Sequence, residues 1–596
     1  MQLLYLWAED YKCLSNANMN FCEYPRFYYN PEENSLNQIS KSKPSTTMFP
    51  LPILDTKEKS DCIDNISAVV GSNGSGKTSV CSLLRDIFCN EYNEKKYIII
   101  LKLTDKDPDS NADKECTLYK TNIDNISINT KEDLEIFDPE NNKFKIIYYS
   151  PFYSTNHLFN IIPSNPDYFI DCSTSNKLIT DITTYIYPDS SKNYENTIDL
   201  LSANNYMDYS RCISVLTNLD HFYRKVDKDG NPLFKLGTTL PQKVHFYYDK
   251  NVFKFFDIEK KEDFPDLYEF YTKIQGNLSS LEIPKQYFID KCSLAIFCSF
   301  SRVWFTHEFN RRFNNQISNI CKRLNSINLD NKNHTEVIKE AFSILYEMLY
   351  EIRPKAVFTH TCKNILSFIE YLETIEASYF EPDRIILDIK EESKTIIWLY
   401  AQYQHIKEIT GFVIFSFYPR PSSGEFSELL LYGRLFDAMS SLIRERDTQN
   451  VLLFFDEIEI TLHPELQRQL IMNICTFLQS FYEDLKFQII FATHSPVILS
   501  DIPKTNVMFL EKKEGEFKSK IKNADINSFA GNIGEMYYEN FFMQETIGAL
   551  AKYEIKNVLE SIKNKEFEHA EYIINSIGDE LLKRVLQNKL EERKWK

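Results

Sequence analysis

At 596 residues the chain exceeds what one hydrophobic core fills, so two to four packed units are expected. Hydrophobic residues at 43% and charged residues at 26% are ordinary for a globular protein, and a net charge of -17 argues against coating nucleic acid through bulk charge. Thirteen cysteines without a CxxC pair exclude a zinc-ribbon or disulfide framework and read as reduced cytosolic thiols.

Residues 1–10 carry no basic leader, so a secretory signal is not expected, and 2–7 form the first strand candidate. The stretch 38–47, rich in Ser, Lys and Pro, reads as an exposed loop. A second strand over 65–70 runs into a glycine-rich turn, and 79–88 continues with helical spacing. Residues 97–103 and 145–149 are further strands. From about 155 to 380 the pattern is mostly helical: 335–352, for instance, places Val337, Ala341, Ile344, Leu345 and Leu349 at spacings of three and four. The most membrane-like run, 292–305, is short and holds Arg302, so no span is expected. Strand patterns return at 384–389, 395–399, 451–455 and 487–491. Past residue 543 an amphipathic helical tail carries Ile555, Val558, Leu559 and Ile562 on one face.

Glycine is scarce, at 14 residues in the chain, so three within six positions carry information. Gly71, Ser72, Asn73, Gly74, Ser75, Gly76, Lys77, Thr78 and Ser79 follow the spacing G-x-x-x-x-G-K-T between an apolar strand and a helix. Such a turn points successive backbone N–H groups at phosphate oxygens, and the helix N-terminus adds partial positive charge. Lys77 is expected to reach the outer phosphates of ATP, and the Thr78 hydroxyl to ligate Mg²⁺.

The apolar run 450–455 ends in Asp456 and Glu457. A continuous apolar run suits a central parallel strand, at whose carboxyl end such sheets carry function. Asp456 is assigned to the Mg²⁺ shell and Glu457 to taking a proton from the attacking water. A second apolar run, 488–492, ends at Thr493 and His494, which is placed to hydrogen-bond the terminal phosphate. Pro382, Asp383, Asp388 and Lys390 match the PD…DxK pattern of Mg²⁺ nucleases, but the acids are too close in sequence to come from separate arms of a hairpin. That segment reads as an alternating strand. His360 and Cys362 make too small a cluster for a metal cage, and Lys260 and Lys261 beside acids read as solvated surface.

These motifs, in this order, resemble the ABC-type ATPases of the RecF, SMC and OLD branch. Pro421, Ser422, Ser423, Gly424 and Glu425 are similar to that family's L-S-G-G-E signature, with Pro at the first position and Ser423 in place of the first glycine. They open a helix expected to run to Arg444. Glu459, His463 and Pro464 look like the extended acid motif of OLD-like ATPases, while 529–534 and 577–582 are similar to segments of anti-phage ATPases such as the Septu type. The family's glutamine loop has no counterpart: 148–153 contains no Gln, and Ser150 is the nominated stand-in.

The resemblance implies an α/β fold with an ABC-type P-loop NTPase head assembled from N- and C-terminal segments, 1–154 and 405–542. A mainly helical lobe is inserted over 155–404, and a helical tail occupies 543–596. It implies ATP and Mg²⁺ as cofactors. It also implies a homodimer or higher homo-oligomer in which the signature of one copy, Ser422, Ser423, Gly424 and Glu425, caps the ATP held at Lys77 of another, with Ser422 and Gly424 contacting the γ-phosphate. The implied role is a cytoplasmic ATPase switch in bacterial anti-phage defence, controlling a separate nuclease or toxin effector and not bound to membrane. The alternatives are a repair or maintenance ATPase that clamps DNA directly, and a self-contained nuclease.

Overall fold

The computed structural model describes residues 1–40, 48–49, 62–89, 96–106, 113–139, 143–152, 168–176, 208, 211–217, 230, 236, 240–254, 264–275, 282–304, 307–330, 332–352, 357–404, 406, 413–445, 449–482, 484–512, 515–522, 527–539 and 547–595. Most of the loop expected over 38–47, and 155–167 and 177–207 of the expected lobe, lie outside the described residues.

Apolar runs from both ends of the chain interleave in one seven-stranded sheet. Across it lie Phe169–Asp171, Lys145–Tyr149, Asn450–Asp456, Lys486–Thr493, Ile63–Gly71, Val507–Glu511 and Lys520–Lys522. The first six run parallel and the last antiparallel. A parallel strand covered on both faces needs apolar residues on both, and every residue of Asn450–Asp456 is buried. Burial of its Val, Leu and Phe side chains contributes on the order of 10 kcal/mol, an upper estimate because unfolded chains already hide some apolar surface.

Alternation along the strands sorts side chains between two cores. Leu452 and Phe454 join Val69, Ile146, Tyr148 and Ile490 on one side, whereas Val451, Leu453 and Phe455 join Val70, Ile147, Tyr149 and Ile489 on the other. The first side is covered by helix Lys77–Phe88, which buries Val80, Leu83, Leu84, Ile87 and Phe88 at helical spacing. Over it also lies a five-stranded sheet in the order Leu14–Asn20, Gln2–Tyr11, Tyr97–Lys106, Asp113–Thr121 and Leu134–Ile136. Two buried amides stitch the two sheets together. The Gln488 side chain bonds both the N–H and the C=O of Leu3, and Asn450 does the same for Thr104 at 3.1 and 3.0 Å. Helices Ser423–Glu445 and Pro464–Phe481 cover the second side.

Helices dominate the described residues of the inserted region: Pro265–Gln275, Pro284–Trp304, His307–Asn325, His334–Ile352, Val357–Thr374 and Ser393–Gln404. They pack with a four-stranded antiparallel sheet in the order Phe380–Glu381, Arg384–Asp388, Lys243–Tyr248 and Val413–Tyr418. Strand Phe169–Asp171, drawn from the same region, belongs to the central sheet. One expectation is corrected. Residues 395–399 are not a strand but part of helix Ser393–Gln404, whose Ile396, Leu399, Tyr400 and Tyr403 are buried at spacings of three and four.

At the C-terminus, helices Ala549–Asn564, Phe567–Ser576 and Glu580–Lys594 enclose a small core of Val558, Ile562, Ala570, Ile574, Leu586 and Leu590, with Ile555 and Leu559 against it. Among the described residues no helix is long and apolar enough to cross a membrane.

Candidate functional site

The carboxyl ends of three adjacent parallel strands bring together residues from 71 to 494. Ile63–Gly71 delivers the glycine-rich turn, Asn450–Asp456 the acid pair, and Lys486–Thr493 the histidine. In the turn, Gly76 has φ of 105°, and a Cβ there would stand 2.5 Å from Cys13 Sγ, so only glycine fits. Ser79 Oγ lies 3.5 Å from the same sulfur. The Ser75 hydroxyl is buried and has no hydrogen-bond partner among the described residues, an orphan inside a loop shaped to present donors.

Lys77 heads the helix yet is only 5% exposed, because its stem folds back over the loop. Its ammonium lies 3.3 Å from Gly71 O, 2.5 Å from His494 Nε2 and 3.4 Å from Glu457 Oε1. Burial holds this lysine's pKa below its usual value, against the opposing pull of Glu457. His494 Nε2 is also 3.1 Å from Glu457 Oε1. One ring nitrogen serves one partner at a time: as N–H it donates to Glu457, and as a lone pair it accepts from Lys77. The His494 hydrogen bond is the largest influence keeping the Glu457 carboxyl below its ordinary pKa.

Strand alternation would send two successive side chains to opposite faces, yet Asp456 and Glu457 both meet the phosphate loop. Glu457 achieves this with φ of 54°, a left-handed conformation uncommon for residues other than glycine, while its N–H still bonds Ala492 O at 2.8 Å. Behind it Glu459, 4% exposed, accepts from the Thr493 hydroxyl at 2.5 Å and from His494 N at 3.0 Å, which fixes the backbone that carries the histidine. His463 caps the next helix, its Nδ1 accepting from Glu465 N at 3.3 Å.

Asp456 Oδ2 accepts from Thr78 Oγ1 at 2.7 Å and from Tyr148 OH at 2.9 Å. Its other oxygen, Oδ1, is buried without a partner among the described residues. Burial raises the Asp456 pKa to about 6. A hydroxyl beside a carboxylate with one unsatisfied oxygen is a donor set that fits Mg²⁺, which takes one or two protein oxygens and completes its shell with water and phosphate.

The signature residues sit elsewhere on the rim. Ser422 and Ser423 are exposed at the start of helix Ser423–Glu445. Ser422 N and Oγ donate to Glu425 Oε2 at 2.9 and 2.8 Å, while Glu425 N donates to Ser422 Oγ at 3.3 Å, a reciprocal cap. Gly424 lies close to the turn after the acid pair, where an added Cβ would be 3.1 Å from Thr461 O. Further along this helix Arg434, 0% exposed, binds Asp208 through Nη2 at 2.7 Å and Nε at 3.2 Å, and Thr174 Oγ1 at 2.8 Å. Arg211 also donates to Asp208, at 2.8 Å. Sequence reasoning missed this cluster, whose members carry no local pattern.

Of the two strand-end residues, it is Tyr148 and not Ser150 that touches the acid pair. Ser150 Oγ accepts from Phe152 N at 3.4 Å, while Tyr148 reaches the acid. The nuclease-like residues do not converge. Asp383 and Asp388 flank the five-residue strand Arg384–Asp388 at opposite ends, roughly 16 Å apart at 3.3 Å per residue. Asp383 pairs with Arg384 and Lys250 at 3.5 and 3.6 Å, and Asp388 Oδ1 accepts from Lys390 N at 2.9 Å. Among the described residues no group of three or more His, Cys, Asp and Glu side chains gathers as a cation cage.

The sequence profile of the family described as AAA ATPase domain matches residues 56–499. No curated protein matches the chain. A solved structure described as the recombination mediator protein RecF-ATP in the RecFOR pathway is similar at 11% identity, covering 87% of this chain and 99% of that one. Its TM-score is 0.23, too low for the likeness to carry any argument.

Proposed function

This chain belongs to the AAA ATPase domain family and is an ATPase, and on that premise we propose that it works as an ABC-type switch driven by its nucleotide. The observation that carries the reading is the convergence of Lys77, Glu457 and His494 where the phosphate loop enters its helix, with Thr78 bonded to Asp456 beside them. Lys77 and the loop's N–H groups hold the outer phosphates of ATP. Thr78 and Asp456 hold Mg²⁺, which when bound neutralises charge between those phosphates. Glu457, ionised and pointed at the loop by its left-handed backbone, accepts the proton of the attacking water. His494 orients Glu457 and contacts the terminal phosphate.

The signature residues Ser422, Ser423, Gly424 and Glu425 serve a second copy of the chain. What supports this is the exposure of Ser422 and Ser423 at the N-terminus of a 23-residue helix, where the partial positive charge favours an anion. A head-to-tail homodimer with two shared ATP sites follows. The head is built from 1–154 and 405–542, with 155–404 as the lobe and 543–596 as the tail; the interleaving of strands from both ends supports a split head, while Phe169–Asp171 joins the head's sheet and Val413–Tyr418 the lobe's, so the two exchange a strand across these bounds. The wider role, control of a separate nuclease or toxin effector in bacterial anti-phage defence, is supported by the likeness of 529–534 and 577–582 to such ATPases.

The test is Glu457→Gln. It is expected to bind Mg-ATP as wild type does, to lose about 10²–10⁴-fold in turnover, and to accumulate as an ATP-bound dimer in light scattering. Undiminished turnover removes Glu457 from the base role, and a monomer at saturating ATP overturns the shared site.

A further inference from the structure

A side chain that the phosphate-loop reading leaves unused stands against its acid. Parallel pairing aligns Tyr148 with Phe454, and alternation sends both to the side of the sheet that faces the phosphate-loop helix. Asp456, two residues beyond Phe454, points to that side as well. The Tyr148 ring therefore lies against Phe454, centroids 6.3 Å apart, and its hydroxyl arrives 2.9 Å from Asp456 Oδ2. Tyr148 and Asp456 are 6% and 5% exposed, so water does not compete freely for this bond.

The two carboxylate oxygens are treated unequally. Oδ2 takes donors from both Thr78 and Tyr148, while buried Oδ1 takes none among the described residues. One donor leaves a carboxylate free to rotate about its terminal bond, whereas two donors from separate elements, a helix start and a strand end, restrain it and fix which oxygen is left unengaged.

We propose that Tyr148 is a positioning residue for the cation site: its phenol locks Asp456 so that Oδ1 is the oxygen presented to Mg²⁺. This rests on the assignment of Asp456 as the metal-side acid. The phenol does by donation what a carbonyl ligand would do by coordination: it acts through Asp456 and leaves one more position around the cation for water. It also accounts for a strand end that carries no glutamine.

The test is Tyr148→Phe, which keeps the ring and its contact with Phe454 and deletes only the hydroxyl. ATP affinity is measured by calorimetry in EDTA and across a Mg²⁺ titration, alongside electron paramagnetic resonance of the Mn²⁺–ATP complex. Expected are an unchanged ATP affinity in EDTA, an apparent Mg²⁺ affinity reduced about 10–100-fold, and a Mn²⁺ spectrum altered from wild type. Turnover then recovers as Mg²⁺ is raised. Asp456→Asn is the control, losing the Mg²⁺ response outright. If Tyr148→Phe leaves the Mg²⁺ titration unmoved while Asp456→Asn abolishes it, the proposal fails and the assignment of Asp456 stands. If neither variant changes it, that assignment falls first. Equal weakening with and without Mg²⁺ also overturns the proposal, since it indicates general damage to the loop.

Discussion

Replacing Asp456 by asparagine is expected to change how stability depends on pH by about 3 kcal/mol. Burial lifts this carboxyl's pKa from 3.8 to about 6 in the folded protein, and each unit of such a shift is worth about 1.4 kcal/mol. A raised pKa means the folded state holds the proton more tightly than the unfolded state. This group's contribution to stability is therefore present at low pH, declines from about pH 4 to pH 6, and stays flat above. Asparagine has no proton to lose. Its oxygen can still accept from Thr78 and Tyr148, while its NH₂ takes the place of the unpaired Oδ1. The unpaired NH₂ costs about 1–3 kcal/mol, but that cost does not vary with pH. The stability difference, variant minus wild type, should then grow by ~3 kcal/mol between pH 4 and pH 7. Urea or thermal unfolding of both proteins in chelator across that range measures it. Carboxyls that do not act on Asp456 are common to both chains and cancel, and Glu457, which does, is held below its ordinary value by His494 and so stays ionised over most of that range. A difference that is constant with pH would refute the reasoning, because the burial of an ionised Asp456 would then cost nothing. In saturating Mg-ATP the order is expected to reverse, since wild type gains about 2.7 kcal/mol at a hundredfold excess over Kd and the variant, lacking the Mg²⁺ response, gains less.

Gly76→Ala forces a side chain onto φ of 105° and against Cys13 Sγ; it is expected to cost about 1–3 kcal/mol and to abolish ATP binding. Gly76→Ala with Cys13→Ala should recover only part of this, and complete recovery of melting temperature and ATP affinity would show that sterics alone, not the backbone angle, demand glycine. Arg434→Met leaves Asp208 buried with Arg211 as its remaining cation. Removing one partner of a buried pair costs about 3–5 kcal/mol, so a fall toward that range is expected in thermal unfolding, partly reversed by adding Asp208→Asn. Wild-type melting of the single variant would show that the pair does not sustain the contact between the signature helix and 168–176.

Four adjacent strands of the central sheet, Lys145–Tyr149, Asn450–Asp456, Lys486–Thr493 and Ile63–Gly71, were legible because they advertise themselves, whereas Phe169–Asp171, Val507–Glu511 and Lys520–Lys522 were not read as strands. Apolar runs of five or six residues that lead into glycine, acid or histidine leave little choice of period, and each motif marks the carboxyl end of its strand. Legibility failed where a local pattern was ambiguous or where the information was not local. Thr395, Ile396, Ile397, Trp398 and Leu399 read as a β-rich run in a short window. They form a helix because Ile396, Leu399, Tyr400 and Tyr403 share a face that only a longer window displays. That Tyr148 reaches Asp456 could not be read without the register that pairs it with Phe454. Nor could Glu457's rotation toward the loop be foreseen, since it depends on a backbone angle and not on a residue type. Arg434 and Asp208 lie 226 positions apart, and neither sits in a motif.

The strand that feeds the phosphate loop has its two neighbours in the far half of the chain, Lys486–Thr493 on one side and Val507–Glu511 on the other. During synthesis both of its edges therefore stay open until some 440 more residues have been joined, roughly 20–90 s at 5–20 residues per second. Through that interval Ile66, Val69 and Val70 belong to an apolar ribbon with unmet hydrogen bonds, the kind of template on which nascent chains associate. A ribosome-bound holdase would have its clearest client there, and any early stop before residue 507 would release that ribbon permanently unpaired on at least one side.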